Sequence, residues 1–301
     1  MSSVHLQPHS LAHEAPPPQI KEVSPGIFAY VQLDGSWGLN NPAFVGKKAV
    51  TLVDTNLHPS ARARTQARGL AIESVTPLPV RTLLNTHHHG DHVFGNFVFP
   101  EATIIGHRLC REETLQTQLS TQAFFPGVEW GNIEVEPPCV TFDDRITVYV
   151  DDLEMQFMFV GPAHTPNDAI LWIPSRKLLI AGNLVFSKCT PFVLQGSLAG
   201  HIRAMGVLQA LGAETVIPGH GDICGPQAIN DGLAYLSFVQ EVGKKSWDAG
   251  VTPLEAARQT DLGRFREWAE WERLAANLHR AIQSYAVTRR ARHSHSRRSP
   301  T

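Results

Sequence analysis

The side chains best suited to chemistry lie in one short run, THHHGDH at residues 86–92. Residues two apart on an extended chain point the same way, so His87 and His89 can face one side and share one metal ion. The glycine that follows permits a sharp turn, after which Asp91 and His92 can face a second point. The run therefore predicts ligands for two neighbouring metal ions.

Two further histidines lie in turn-like sequences, His164 within residues 161–168 and His220 within residues 218–222. Each follows an apolar run of strand length, so each can reach the same edge of a sheet. Neutral imidazole and carboxylate ligands suit Zn²⁺ best. We expect both histidines to complete a zinc centre, whereas His88 alternates to the other side of its run and is expected to be structural.

The surrounding pattern predicts the elements that must position these residues. Short β-branched or aromatic runs predict strands in two sets, with helices after each set. The predicted strands are 26–31, 43–45, 49–53, 80–84, 146–150, 155–160, 169–173, 178–181 and 215–217. The predicted helices are 58–71, 201–211, 226–242 and the core of 262–287. Two β-rich halves with helices indicate an α/β (α+β) fold, a four-layer αββα sandwich.

Length and composition bound the domain organisation. With 301 residues and 43% hydrophobic side chains, the chain can bury a large core. We expect a flexible lead at residues 1–19 and a single domain over residues 20–288. Five arginines lie in residues 289–298 without apolar periodicity, so residues 289–301 are expected to form a disordered basic tail.

Charge and cysteine content exclude several classes of protein. The formal net charge is −2, and the densest cluster of arginines lies in the tail, which argues against a nucleic-acid-binding face. The four cysteines form no Cys-x-x-Cys pair, so they are expected to be free thiols of a reducing compartment. We expect neither a signal peptide nor a membrane-spanning apolar segment. We therefore expect a soluble cytoplasmic protein that binds no membrane.

The His-rich run, His164 and the Pro-Gly-His-Gly sequence around His220 together resemble the metallo-β-lactamase superfamily over about residues 20–245. The resemblance implies zinc ligands in two groups: His87, His89 and His164 for one ion, and Asp91, His92 and His220 for the other. It also implies hydrolysis at the zinc pair, with Asp91 as the catalytic proton shuttle.

One position departs from the family pattern. Where the family usually places a bridging aspartate after Ala181-Gly182, this sequence has Asn183. An amide oxygen can contact one metal ion but lacks the charge to bridge two. We therefore expect Asn183 to be a weak ligand or to lie just outside the ligand set, and the second zinc ion to bind less tightly.

A narrower likeness at residues 29–41, 85–96 and 190–192 resembles the branch that contains the second-ring cyclases of aromatic polyketide pathways, such as actinorhodin biosynthesis. It implies a cyclase and thioesterase of antibiotic biosynthesis. Such an enzyme closes a ring by aldol-type condensation on an acyl-carrier-protein-bound intermediate and hydrolyses the thioester. The expected substrate-binding residues are Trp37, Asn96, Phe186 and Phe192.

The same residues are compatible with other functions. A lactonase, a hydrolase of glutathione thioesters or of other small-molecule thioesters, and a β-lactamase would each use this metal site, although no secretory signal supports a β-lactamase. A metal-binding or redox protein that has lost hydrolysis through Asn183 belongs to a different class.

Overall fold

The computed structural model describes residues 19–31, 40–55, 72–120, 122, 132–193 and 195–296. Within these ranges the chain forms two β-sheets and helices that pack on them. Residues 1–18 of the lead expected over residues 1–19 lie outside the described residues, as do the predicted helix at 58–71 and the loop that contains Trp37. Gln19, the last residue of that lead, begins the first strand.

The first sheet has seven strands that lie side by side in chain order. They are β1 (Gln19–Ser24), β2 (Ile27–Val31), β3 (Asn40–Val45), β4 (Val50–Val53), β5 (Val80–Asn85), β6 (Thr103–His107) and β7 (Val140–Phe142). Strands β1 to β4 pair antiparallel, whereas β4 to β7 pair parallel. Parallel pairing brings the carboxyl ends of β4 and β5 to one edge, and the His-rich run begins there.

The second sheet has five strands in the order β12-β11-β10-β9-β8. They are β8 (Arg145–Val150), β9 (Leu153–Phe159), β10 (Ala169–Ile173), β11 (Leu178–Phe186) and β12 (Thr215–His220). The pairing is antiparallel except between β11 and β12, which run parallel. His220 therefore ends its strand directly beside Phe186, its partner in register at the end of β11.

The helices lie between the strands and after the last of them in the chain. They are α1 (Gly90–Val93), α2 (Arg108–Thr117), α3 (Leu198–Leu211), α4 (Gln227–Ala249), α5 (Pro253–Gln259) and α6 (Leu274–Ser296). Helix α3 begins three residues before the predicted start because the Ser197 side chain accepts a hydrogen bond from the Gly200 backbone N–H. The predicted helical segment at 262–287 starts with two 3₁₀ turns and becomes α-helical only at Leu274.

Helix α6 extends into the segment that is expected to be a disordered tail from residue 289. The helix continues to Ser296, and residues 297–301 lie outside the described residues. Between Leu274 and Ser296 the sequence contains no glycine or proline. Arginine and alanine have high helix propensity, so nothing in residues 289–296 ends the helix.

The layers follow from strict alternation of apolar side chains along the strands. In β10, Leu171 and Ile173 face the first sheet, whereas Ile170 and Trp172 face the helices that cover the outer side of the second sheet. On the first sheet, Leu52 faces outward, into a cluster that includes residues near the helical turn at 72–75. The predicted four-layer αββα arrangement is confirmed. Among the helices of the described ranges, none has both the length and the apolar character of a membrane span.

His201 in α3 is a fully buried histidine. Its protonation makes the free energy of unfolding depend on pH. Its Nε2–H donates to the Leu184 carbonyl oxygen at 2.9 Å, and burial lowers its pKa from 6.5 to about 4. Because protonation favours the unfolded chain, the stability that neutral His201 provides is complete above pH 6.5 and is lost as the pH falls towards 4.

We expect His201→Gln to remove this pH dependence. Between pH 6.5 and pH 4, the free energy of unfolding of the wild type should fall by up to about 3 kcal/mol more than that of the variant. Urea unfolding of both metal-free proteins over this pH range measures the difference. Parallel curves for the two proteins would contradict the expectation.

Candidate metal centre

The structure brings all six predicted ligands together in two neighbouring groups. The first ligand group is His87, His89 and His164, and the second ligand group is Asp91, His92 and His220. Within each group the candidate ligand atoms lie within 4.8 Å of one another. Four of these residues follow β5 of the first sheet, whereas His164 lies between β9 and β10 and His220 ends β12, in the second sheet.

The donor set fits a metal ion at the first group. His87 is 1% exposed, and its Nε2 has no hydrogen-bond partner among the described residues. Burial, reinforced by the neighbouring His92, holds the pKa of His87 well below 6.5, so the ring is neutral and can bind a metal through this nitrogen. A ligated metal ion would satisfy an atom that is otherwise buried without a partner.

Asp54, at the end of β4, orients histidines of both groups. Its carboxylate accepts hydrogen bonds from the Thr86 backbone N–H at 2.8 Å and from the Thr86 hydroxyl at 2.7 Å. The same carboxylate lies 2.8 Å from His92 Nδ1, while the Thr86 hydroxyl lies 3.0 Å from His87 Nδ1. These contacts occupy the Nδ1 side of both rings and leave Nε2 for a metal.

Asp54 was not among the residues predicted from the sequence. The available signal was an aspartate directly after one apolar strand, at the sheet edge where the parallel strand β5 delivers the His-rich run. Its backbone has a φ of +53°, a left-handed conformation that aspartate tolerates better than most residues.

Backbone and side-chain acceptors after β11 orient the other two histidines of the first group. His164 Nδ1–H donates to the Phe192 carbonyl oxygen, and His89 Nε2–H donates to Gln195 Oε1 at 2.6 Å. The remaining ring nitrogens, His89 Nδ1 and His164 Nε2, lie 3.0 Å apart. Both therefore point to one place, where a shared metal ion would lie between them. Gln195 was also not identified from the sequence.

His88 takes the structural position predicted for it. Its backbone N–H donates to Asn167 Oδ1 at 3.1 Å, and its Nδ1 accepts from Asn167 Nδ2 at 2.9 Å. Burial lowers the pKa of His88 to about 3, so the ring is neutral and can accept this hydrogen bond. The pair ties the His-rich run to the loop that carries His164.

Asp91 links the second group to solvent. Its Oδ2 lies 3.5 Å from His92 Nε2 and 3.6 Å from His220 Nε2. Its side chain is 32% exposed, whereas those of the two histidines are almost completely buried. Burial alone would raise the pKa of Asp91, but the neighbouring His92 and His220 outweigh it and lower that pKa below 3.8. The carboxylate is therefore ionised at neutral pH and open to the surface.

Asn183 borders the first group without contributing a charge. The side chain is 4% exposed, and its Nδ2 lies 3.2 Å from His164 Nε2. Its Oδ1 has no hydrogen-bond partner among the described residues. The amide is thus close enough to contact a metal held by His164.

We expect Asn183→Asp to raise the affinity for the more weakly bound metal ion, because it places an anionic oxygen beside the ligand groups. Zn²⁺ stoichiometry and dissociation constants from a chelator titration measure the change, and thermal melting of the metal-free proteins checks folding. An unchanged titration curve would contradict this expectation.

The predicted substrate-binding residues separate into different roles. Asn96 is 1% exposed, and its amide is bonded to Asn85, to Thr55 and to the Glu136 carbonyl oxygen. The side chain faces inward and its polar atoms already have partners, so substrate binding by Asn96 stays a prediction that the structure does not support. The prediction for Trp37 lies outside the described residues.

The two phenylalanines both contact the metal centre. Phe186 is 4% exposed, and its ring stacks on His220 with centroids 5.2 Å apart and planes 7° apart. Phe186 therefore supports a ligand instead of forming a substrate wall. Phe192 is partly exposed and supplies the carbonyl oxygen that His164 binds, so its contact with substrate stays a prediction.

Comparisons with known proteins give the family and the fold. A family model described as the metallo-beta-lactamase superfamily matches residues 35–220. The solved structure of a metallo-beta-lactamase from Pontibacter korlensis aligns with a TM-score of 0.60 at 18% identity, covering 73% of this chain and 99% of that one. This structural likeness shows the fold alone.

Curated relatives have different activities in their names. The chain is 27% identical over 206 residues to the 2,4-dinitroanisole O-demethylase subunit alpha of Nocardioides sp. (strain JS1661), covering 66% of this chain and 54% of that protein. It is 22% identical over 220 residues to a metallo-beta-lactamase type 2 of Bacteroides fragilis, covering 70% and 82%. The chain thus spans about half the length of the demethylase subunit. Because the family model covers more than half of the chain and the two ligand groups lie within its match, the protein belongs to the metallo-beta-lactamase superfamily.

Proposed function

We propose that this protein is a metal-dependent hydrolase that binds two Zn²⁺ ions, one at each ligand group. The observation that carries the proposal is the pair of neighbouring three-residue groups, each built from residues of both sheets. Six neutral or anionic donors brought together from both sheets have no comparable structural purpose, because burying several imidazoles costs free energy unless their nitrogens are bound.

The reaction we propose is hydrolysis at a carbonyl carbon. Metal ions at these sites would lower the pKa of water and polarise the carbonyl oxygen of the substrate. The Asp91 carboxylate, ionised and partly exposed, can take the proton that the attacking water loses. It can then pass that proton to the leaving thiolate or alkoxide as the carbon–sulfur or carbon–oxygen bond breaks.

The substrate we propose is an acyl thioester, and in particular an aromatic polyketide intermediate on an acyl carrier protein. The sequence likeness at residues 190–192 supports this choice, since this segment lies against the first ligand group through the Phe192 carbonyl oxygen. With such a substrate, the same site would also remove a proton next to a polarised carbonyl and allow an aldol-type ring closure before hydrolysis.

Other hydrolase substrates fit the same geometry equally well. Lactones, glutathione thioesters and β-lactams all present a carbonyl group to the site, and the activities named for the relatives differ. The substrate class must therefore be determined by an activity assay. A metal-binding or redox protein without hydrolysis would bind metal at the same residues but turn over none of these substrates.

The deciding experiment offers Zn²⁺-loaded protein a panel of acyl thioesters, lactones and nitrocefin, with and without a chelator. We expect chelator-sensitive thioester hydrolysis, with mass spectrometry of a polyketide thioester showing a released and cyclised product. Rapid nitrocefin turnover with inert thioesters would contradict the substrate proposal. Turnover that a chelator leaves unchanged would contradict the metal-dependent mechanism.

A further inference from the structure

Part of the loop after β11 holds the first ligand group in place. This segment, the Phe192 loop (residues 187–193 and 195–196), carries both the Phe192 carbonyl oxygen that binds His164 and the Gln195 side chain that binds His89. Two of the three histidines of the first group therefore depend on the position of one irregular segment. An irregular segment needs contacts from elsewhere to keep that position.

Asn277 of helix α6 supplies such contacts on both sides of Phe192. Its Nδ2 donates to the Pro191 carbonyl oxygen at 2.8 Å, and its Oδ1 accepts from the Val193 N–H at 3.0 Å. The side chain is 0% exposed, and a further hydrogen bond to Tyr235 Oη at 3.0 Å orients the amide. Asn277 thus fixes the peptide whose carbonyl oxygen holds His164.

Asn40 holds the backbone on either side of His220 in the second ligand group. Its Nδ2 donates to the Pro218 carbonyl oxygen at 3.1 Å and to the Gly221 carbonyl oxygen at 2.6 Å. These two carbonyl groups lie on either side of His220. Asn40 is 5% exposed and begins β3 of the first sheet, so a strand of one sheet fixes a ligand that ends a strand of the other.

We propose that Asn277 and Asn40 are positioning residues with separate targets: Asn277 fixes His164 for the first metal ion, and Asn40 fixes His220 for the second. Removing either amide leaves buried backbone groups without partners, and the peptide beside the ligand then shifts. Groups that orient metal ligands typically change metal affinity by about 10–100-fold when they are removed. The inference rests on the proposed binding of Zn²⁺ at both groups.

The test measures the two stepwise Zn²⁺ dissociation constants by competition with a chromophoric chelator. His164→Ala and His220→Ala serve as references that assign each binding step to a group. We expect Asn277→Ala to weaken the His164 step by about 10–100-fold and to leave the other step unchanged within error. Asn40→Ala should give the reverse pattern.

A matched control separates positioning from loss of stability. Leu278, next to Asn277 in α6, is 0% exposed in the apolar core. Leu278→Ala should lower the melting temperature without changing either dissociation constant. Asn277→Gln and Asn40→Gln, which keep the amide but displace it by one methylene group, should show the same site preference and serve if an alanine variant does not fold.

The outcomes distinguish this inference from the proposed function. Equal losses at both steps, no loss at either step, or the same losses in Leu278→Ala would overturn the inference alone. A wild-type protein that binds no Zn²⁺ would overturn both proposals together.

Discussion

Asp91→Ala is expected to lower turnover of the best thioester substrate by about 10²–10⁴-fold, the range typical for loss of a general acid–base group, with further loss where the second metal ion dissociates. The reason is that Asp91 combines two positions, a ligand atom within 3.6 Å of His220 Nε2 and a partly exposed carboxylate. Steady-state kinetics together with the bound zinc content of each sample measure both effects.

Asp91→Asn separates the two roles of Asp91. The amide keeps the size of the side chain and one oxygen that can contact a metal, but it cannot take up a proton. We expect a protein that regains Zn²⁺ at high metal concentration yet stays inactive. Near wild-type turnover by metal-loaded Asp91→Asn would show that Asp91 is a ligand and not a proton shuttle.

Asp54→Asn is expected to weaken Zn²⁺ binding by about 10–100-fold and to lower the free energy of unfolding by about 3 kcal/mol. Asp54 is 3% exposed, and its carboxylate has contacts with Thr86 and with His92 Nδ1. Asparagine also adopts a positive φ readily, so the change removes charge without straining the backbone. Chelator competition and urea unfolding of the metal-free protein measure the two effects.

Asp54→Ala is the matched comparison, since alanine loses the same charge and in addition strains the backbone at a φ of +53°. Both variants should lose Zn²⁺ affinity to a similar extent, whereas Asp54→Ala should be the less stable of the two. Wild-type Zn²⁺ affinity in Asp54→Asn would refute the role of its carboxylate in orienting His92.

Local patterns were enough to predict the layers and the two groups of candidate ligands. The run Ala169–Ile173 is a strand as predicted, because apolar β-branched and aromatic side chains suit a strand that is buried on both faces. The His-rich run could be recognised because the spacing of its residues determines which side chains point the same way. Strand β6 (Thr103–His107) was missed, although it is apolar, because its short run is followed directly by helix α2.

Contacts between distant parts of the chain could not be read in this way. Asn277 lies 86 residues from Pro191 in sequence, and Asn40 lies 178 residues from Pro218. No repeating pattern in the local sequence predicts such a contact. Only the folded arrangement of the sheets and α6 brings the two residues of each pair together. Asn96 shows the same dependence: its place beside the motif suggests substrate contact, whereas the direction of its side chain depends on packing.

The division of ligands between the two sheets has a mechanical consequence. His87 follows a strand of the first sheet, whereas His164 and His220 belong to the second. Each bound ion would therefore act as a cross-link over the seam between the sheets, in the way a disulfide joins two segments of chain. Because each ion would bind only the folded arrangement of the two sheets, a chelator should lower the melting temperature of the metal-loaded protein.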